Sequence, residues 1–147
     1  MTVFAILMVK DEADVIVDTV TYLLSQVDHV IVSDNGSTDG TRDLLNSMPI
    51  TVLDDPDPAY RQSQKMSALA ALAAERGADW VVPVDADELW SHPTMSLSGY
   101  LSALPDDRSI ARAALYDYVA TGYDDPDIES PMQRIQWRRN KPAPLQK

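Results

Sequence analysis

Four short apolar runs, each followed by polar residues and then by a segment of helical period, constrain this chain more than any other feature. Residues 2–9 (TVFAILMV), 29–33 (HVIVS), 50–53 and 80–84 (WVVPV) are apolar stretches rich in β-branched side chains. That is the pattern of strands covered on both faces rather than one. Between the first two runs, Ile16, Val20, Leu23, Leu24 and Val27 recur at i, i+4, i+7, i+8 and i+11, which puts them on one helical face. Residues 42–46 read as a short helix. Residues 61–76 read as a long alanine-rich one, with Met66, Leu69, Ala70 and Ala73 on one side and Gly77 just past the C-cap. Pro83 marks the fourth strand as irregular or as a sheet edge. A further helix over 97–104 and a strand over 110–119 complete the elements. Strands alternating with helices predict βαβ units with right-handed crossovers, hence an α/β fold with a mainly parallel sheet flanked by helices. One domain over 1–120 is expected, with the polar, proline-containing stretch 121–147 as a C-terminal arm or a truncated continuation.

Composition narrows the partners. With 12 basic residues against 23 acidic ones, the 147-residue chain carries a net charge of −11, which repels a phosphate backbone and an anionic lipid surface alike. Nucleic acid is excluded as a partner. No apolar run approaches the roughly 20 residues of a membrane span, and the N-terminus lacks the zones of a signal peptide, so a cytoplasmic location is expected. There is no cysteine and there are two histidines, so any metal must be held mainly by carboxylates. An uncovered sheet edge would favour pairing with a second copy as a homo-oligomer.

In open parallel sheets, ligands bind outside the carboxyl ends of the strands, where the acidic loops at Asp11, Asp34 and Asp85 all fall. Asp85 and Asp87 flank Ala86, so two carboxylates can face one way while the alanine turns aside. Hard divalent cations take oxygen donors of this kind together with substrate phosphates. On spacing alone, a solvated acidic turn is an equal alternative in so acidic a chain. The apolar run just before it, and Glu88 and Trp90 just after it, favour a site. In the segment DNGSTDGT (34–41), Thr38 or Asp39 is expected to cap the next helix, which leaves Asp34 and Asn35 at the strand tip to bond a base edge. A calcium loop starting at Asn35 fails, because its twelfth position is Asn46 where a bidentate Glu is required. Arg61 and Lys65, one helical turn apart, could grip an anion or merely balance the acidic loop 54–58. His29 reads as a strand-edge residue, and His92 as a weak metal candidate near Asp87. The chain has no P-loop, GxGxxG, GxSxG or HExxH motif.

The first strand with Lys10-Asp11-Glu12-Ala13, the segment VIVSDNGSTDGT and the segment ADWVVPVDADELW together resemble the nucleotide-sugar-binding half of family 2 glycosyltransferases with the GT-A fold. They look most like the branch whose second loop reads D-N-x-S-x-D-G-T and whose metal loop reads D-x-D-E. The likeness covers about residues 3–90, in order and spacing. It implies a Rossmann-like GT-A sheet and transfer of a sugar from a nucleoside-diphosphate donor, with a UDP-sugar favoured, to an acceptor that the sequence does not name. It also implies that Asp34 meets the base, with Val9 and Asp11 lining the same pocket and Arg61 and Lys65 near the nucleotide. Asp85 would approach the ribose or diphosphate. Asp87, with Asp85, would hold Mn²⁺ or Mg²⁺ bridging the two phosphates, a Lewis acid for the departing nucleotide. Family members invert the anomeric centre with the help of a carboxylate base, a role for which the spacing of Asp117, Asp124 and Glu129 singles out none. Glu88 stands where it could assist metal or acceptor. Two alternatives remain. A shortened GT-A domain could bind nucleotide, or a partner, without turnover. A HAD-type phosphotransferase also places D-x-D after an apolar strand, but it needs a downstream lysine, and only Lys141 and Lys147 follow Asp87.

Overall fold

Strand β1 (Val3–Val9) buries every residue except Met8, because it lies inside the sheet with a strand on either side and helices over both faces. A computed structural model describes residues 1–57, 59 and 61–143; Pro58 of the expected acidic loop and the last residues of the expected arm, 144–147, lie outside them. The chain divides into two compact units, Met1–Ala103 and Leu104–Lys147.

In the first unit the elements follow as β1, α1 (Ile16–Gln26), β2 (His29–Asp34), α2 (Thr41–Asn46), β3 (Thr51–Asp54), α3 (Gln62–Glu75), β4 (Trp80–Pro83) and α4 (Leu97–Ser102). All strand pairs are parallel, and the order across the sheet is β3-β2-β1-β4. The α/β expectation holds, and so does the edge position of the strand that carries Pro83. The chain steps outward from β1 to β2 to β3, and α3 then carries it back to the far side of β1. With right-handed crossovers, that reversal sets α1 and α2 on one face and α3 on the other.

The side chains agree. Leu69 and Ala73 of α3 pack with Phe4, Ile6 and Ile31, one alternate set of strand positions, and Met66, Ala70 and Val81 extend the cluster. The other set, with Ala5, Leu7, Val30 and Val32, faces the opposite side, where α1 contributes its buried Ile16, Val20 and Leu23. Gly77 ends α3 in the left-handed region at φ 92°, as its place after the C-cap requires. Among the described residues, no helix is long and apolar enough to cross a membrane.

The second unit departs from the expectation. Residues 110–119 form no continuous strand; they carry isolated bridge positions at Ala114 and Tyr118, the latter in an antiparallel bridge with Arg138. Around it, Val119 N–H donates to the Trp137 carbonyl (2.8 Å), Arg139 N–H to Asp117 (3.0 Å) and Ala143 N–H to Leu115 (2.7 Å). The physical reason is the lack of a face to bury: Ile110 is 73% exposed, and Tyr118 and Val119 are exposed too. Within the expected arm lies a single helical turn, α5 (Pro131–Arg134), where the Ser130 side chain accepts from Gln133 N–H at 3.3 Å.

Ile31 is fully buried at the centre of the α3 face. Ile31→Ala is expected to cost about 2–5 kcal/mol of unfolding free energy in urea, whereas Ile110→Ala stays within about 0.5 kcal/mol. Equal losses would contradict this placement of the core.

Candidate functional site

The strand order reverses between β1 and β4, and such a reversal opens a crevice at the carboxyl ends of the two strands because their loops lead away in opposite directions. Three loops gather at that end of the sheet. They follow β1, β2 and β4, and the sequence makes each of them acidic at its start.

The loop after β1 is laced to the loop after β2. The successive backbone N–H groups of Asp11, Glu12 and Ala13 donate to Ser37 Oγ (2.9 Å), Thr41 Oγ1 (2.8 Å) and Asp39 Oδ2 (2.9 Å). In return, Asp11 Oδ1 accepts from Thr38 N–H at 2.6 Å and from its hydroxyl at 3.2 Å. To make these bonds Asp11 adopts φ 54°, a left-handed conformation that costs roughly 1–2 kcal/mol for a residue with a Cβ, though Asp tolerates it better than most. The cap differs from expectation. Gly40, at φ 101°, is the N-cap of α2, and Thr38 takes no part in capping. Asp39 instead accepts from Thr41 N–H (3.0 Å) and Thr41 Oγ1 (2.6 Å) while also holding Ala13. The Thr41 hydroxyl bond and the backbone bonds from Ala13 and Thr41 hold the Asp39 carboxyl below the usual carboxylate range.

At the tip of β2, Asp34 is paired with Val9 in the sheet and is buried. Its Oδ1 accepts from the Ser37 backbone and hydroxyl, and its Oδ2 lies 3.6 Å from Arg42 Nη1. Arg42 also meets Asp54 Oδ1 at 2.5 Å and the Leu53 carbonyl at 3.3 Å. A shallow depression of about 250 Å³ opens here, lined by Asp34, Gly36, Asp54, Asp55 and Pro56. Asn35 and Lys65 are brought together beside it. Asn35 Nδ2 donates to the Asp55 carbonyl (3.0 Å), to Asp55 Oδ2 (3.1 Å) and to the Asp57 carbonyl (2.7 Å). Lys65 Nζ reaches the same Asp55 Oδ2 and Asp57 carbonyl, both at 2.6 Å. Asn35 therefore pins the acidic loop 54–57 to the tip of β2, and Lys65 pins it to the first turn of α3. Arg61 is exposed at the head of α3, one turn before Lys65, whose N–H donates to the Arg61 carbonyl at 3.0 Å.

Beyond β4, Val84 N–H donates to the Ile6 carbonyl at 3.0 Å, so the pairing with β1 continues up to the D-x-D turn. Asp85 is half-buried, Ala86 buried and Asp87 exposed, and Glu88 N–H closes the turn on the Asp85 carbonyl at 3.0 Å. Trp90 Nε1 donates to Glu88 Oε2 at 3.2 Å. Thr19, fully buried on α1, donates its hydroxyl to the Ala86 carbonyl at 2.5 Å. Burial, and then the charges of Asp87, Asp14, Asp39 and Asp11, push the Glu12 carboxyl up. Asp87 acts on Glu12 more strongly than the other aspartates do. Helix α1 touches both loops, through Ile16 N–H to the Glu12 carbonyl (2.9 Å) and Thr19 to Ala86, so the loops after β1 and β4 are neighbours at this end of the sheet.

The remaining sequence candidates lie elsewhere. His29 sits at the opposite end of β2, its Nε2 2.9 Å from Thr51 Oγ1 and its ring packed on Phe4, as a strand-edge residue should. His92 stacks on Tyr100 of α4 with ring centroids 4.9 Å apart. Among the described residues no group of three or more His, Asp or Glu side chains is arranged for a metal, with or without His92. In the second unit, Asp117 lies 3.6 Å from Arg139 and Asp124 accepts from Thr121 N–H at 2.6 Å. Neither these contacts nor Glu129 single out a base. The residues that sequence reasoning missed are Thr19, Ser37, Thr41 and Arg42. Thr19 had a signal, as the one polar residue on the apolar face that runs from Ile16 to Leu23.

A four-stranded parallel sheet with helices on both faces, its order reversing between β1 and β4, defines the class as an α/β domain of Rossmann-like, GT-A type. The chain belongs to glycosyl transferase family 2, whose model matches residues 4–140, well past the D-x-D turn and through most of the second unit. No curated protein matches the chain.

Because the Asp39 carboxyl is depressed, its bonds contribute stability above the unfolded carboxylate value of about 3.9, and that contribution is lost as pH falls through the lower folded value. Asp39→Asn should therefore lower the melting temperature at neutral pH and flatten its fall below about pH 4. Parallel curves for parent and variant would contradict the lacing.

Proposed function

We propose that this glycosyltransferase takes its sugar from a nucleoside diphosphate, UDP-linked in preference, and that it needs Mn²⁺ or Mg²⁺ and inverts the anomeric centre. The observation that carries this reading is that the acidic loops after β1 and β4 meet at the switch point, tied through α1 by Ile16 to Glu12 and Thr19 to Ala86, with the Asp34 depression one strand away. In this reading Asp34 takes the base, with Val9 and Asp11 at the pocket wall. Asn35 and Lys65 hold the loop that forms the pocket's other side, and Arg61 stands at the head of the same helix. Asp85 and Asp87 lie toward the diphosphate.

Electrostatics supports the metal. A diphosphate brought near Asp11, Glu12, Asp85 and Asp87 meets like charge, where the Glu12 carboxyl is already pushed up by burial and then by the charges of Asp87 and its nearer neighbours. Two carboxylates supply only part of the six oxygens that Mg²⁺ or Mn²⁺ takes, and phosphate oxygens and water commonly supply the rest. The donor set thus fits a cation that arrives with its nucleotide. When bound, such a cation neutralises charge on the departing nucleoside diphosphate. The chain's own contribution is to orient the donor: the buried Asp34 fixes one end, and the D-x-D turn, held by Val84, Glu88 and Thr19, fixes the other.

UDP with Mn²⁺ is expected to raise the melting temperature, corresponding to about 2.7 kcal/mol at a hundredfold excess over Kd. Asp87→Ala should abolish the Mn²⁺-dependent part. A parent protein that UDP and Mn²⁺ leave unchanged would refute the proposal, and binding without donor turnover would favour a non-catalytic nucleotide-binding module.

A further inference from the structure

We propose that Thr19, on a helix that carries none of the acidic loop residues, is a positioning residue that sets the D-x-D turn through its hydroxyl and thereby tunes cation affinity; this rests on the reading of Asp85 and Asp87 given above. Thr19 is fully buried, and its Oγ1 donates at 2.5 Å to the carbonyl of Ala86, sixty-seven residues away and itself buried. A buried threonine hydroxyl in a helix ordinarily bonds back to the carbonyl four residues earlier. Here the hydroxyl instead reaches out of the helix to a loop, while Thr19 N–H makes the ordinary helical bond to the Val15 carbonyl at 3.0 Å.

The acceptor's location gives the bond its consequence. Ala86 is the middle residue of the turn, with one carboxylate on either side, so fixing its carbonyl fixes the Ala86–Asp87 peptide plane, which carries the Cα of Asp87, and restrains the residue that joins Asp85 to it. The turn has other ties, at Val84 N–H to Ile6 and Glu88 N–H to Asp85, but neither holds its centre. Thr19 also stands one turn from the start of α1, whose first N–H groups, Val15 at 3.2 Å and Ile16 at 2.9 Å, are received by the Glu12 carbonyl. The same helical turn therefore touches both sides of the crevice, holding the β1 loop through Glu12 and the β4 loop through Ala86. A threonine placed for core packing alone would be replaceable by valine, its closest apolar match in shape. A positioning hydroxyl is replaceable by serine and not by valine.

The test is a Mn²⁺ titration of the full chain at fixed UDP, read by thermal shift, for the parent, Thr19→Val and Thr19→Ser. Amide hydrogen exchange of residues 86–88 is followed in the metal-free proteins alongside. Thr19→Val should raise the half-saturating Mn²⁺ concentration on the order of tenfold or more, the scale seen when a residue behind a metal ligand is removed. Its 86–88 amides should exchange faster, and its response to UDP alone should stay at the parent level. Thr19→Ser should restore the Mn²⁺ response and the protection. If the parent responds to Mn²⁺ and Thr19→Val matches it, the proposal is overturned while the functional reading stands. If the parent itself does not respond, the functional reading fails and takes the proposal with it. If Thr19→Val does not fold, Thr19→Ala takes its place, and failure of both while Thr19→Ser folds would assign the hydroxyl to folding alone and overturn the proposal.

Discussion

Everything at the carboxyl end of the sheet depends on the bonds that tie residues 11–13 to residues 37–41. Three consecutive backbone N–H groups leave β1 with no strand partner, and each is received by a side chain from the second loop. A hydrogen bond made in such a setting contributes about 0.5–1.5 kcal/mol net, so the bonds made in both directions together offset the left-handed strain at Asp11. One result is a rigid floor. Asp34 is shaped by the same segment, through Ser37, so the pocket at β2 and the acidic turn at β1 are set by one set of hydrogen bonds rather than two.

Against that floor the molecule concentrates like charge. Glu12 is pushed up by burial and by four neighbouring aspartates, which is destabilising for the isolated fold. Acidic residues gathered at one end of a sheet are tolerated where the backbone is over-determined, and the lacing provides that here. Elsewhere the acidic side chains are neutralised locally. Asp55 has Lys65, and Asp54 and Asp34 have Arg42. The contrast between paired carboxylates at the β2 and β3 tips and mutually repelling ones between β1 and β4 is the electrostatic signature of the proposed cation site.

Much of this fold was legible in the sequence because periodicity and burial coincide in the first unit. The β1 run is continuous because the strand is covered on both faces, α3 announced itself by alanine and ended at Gly77, and Pro83 lies on an edge strand as its missing N–H demands. Residues 110–119 misled because β-branched and aromatic residues suggest a strand, yet a strand needs a face to bury and Ile110 and Tyr118 have none. The site was legible only as positions. That acidic loops would end β1, β2 and β4 follows from strand counting; that Thr38 would hold Asp11 rather than cap a helix, or that Asn35 would anchor residues 55 and 57, depends on pairings between loops about twenty or more residues apart. Spacing along a chain carries no record of such pairings. The family match to residue 140 likewise reaches past the segment where sequence motifs could be recognised.

The claim at the centre of this account is that a cation held by Asp85 and Asp87 lies beside the turn after β1, within the same crevice. Paramagnetic broadening of backbone amide signals by trace Mn²⁺ in the presence of UDP measures it directly. The account predicts that residues 11–13 and 85–88 broaden first and together, with the opposite end of the sheet, at His29 and Asp79, unaffected. Broadening confined to one of the two turns, or centred instead on the acidic stretch 124–127, would contradict it.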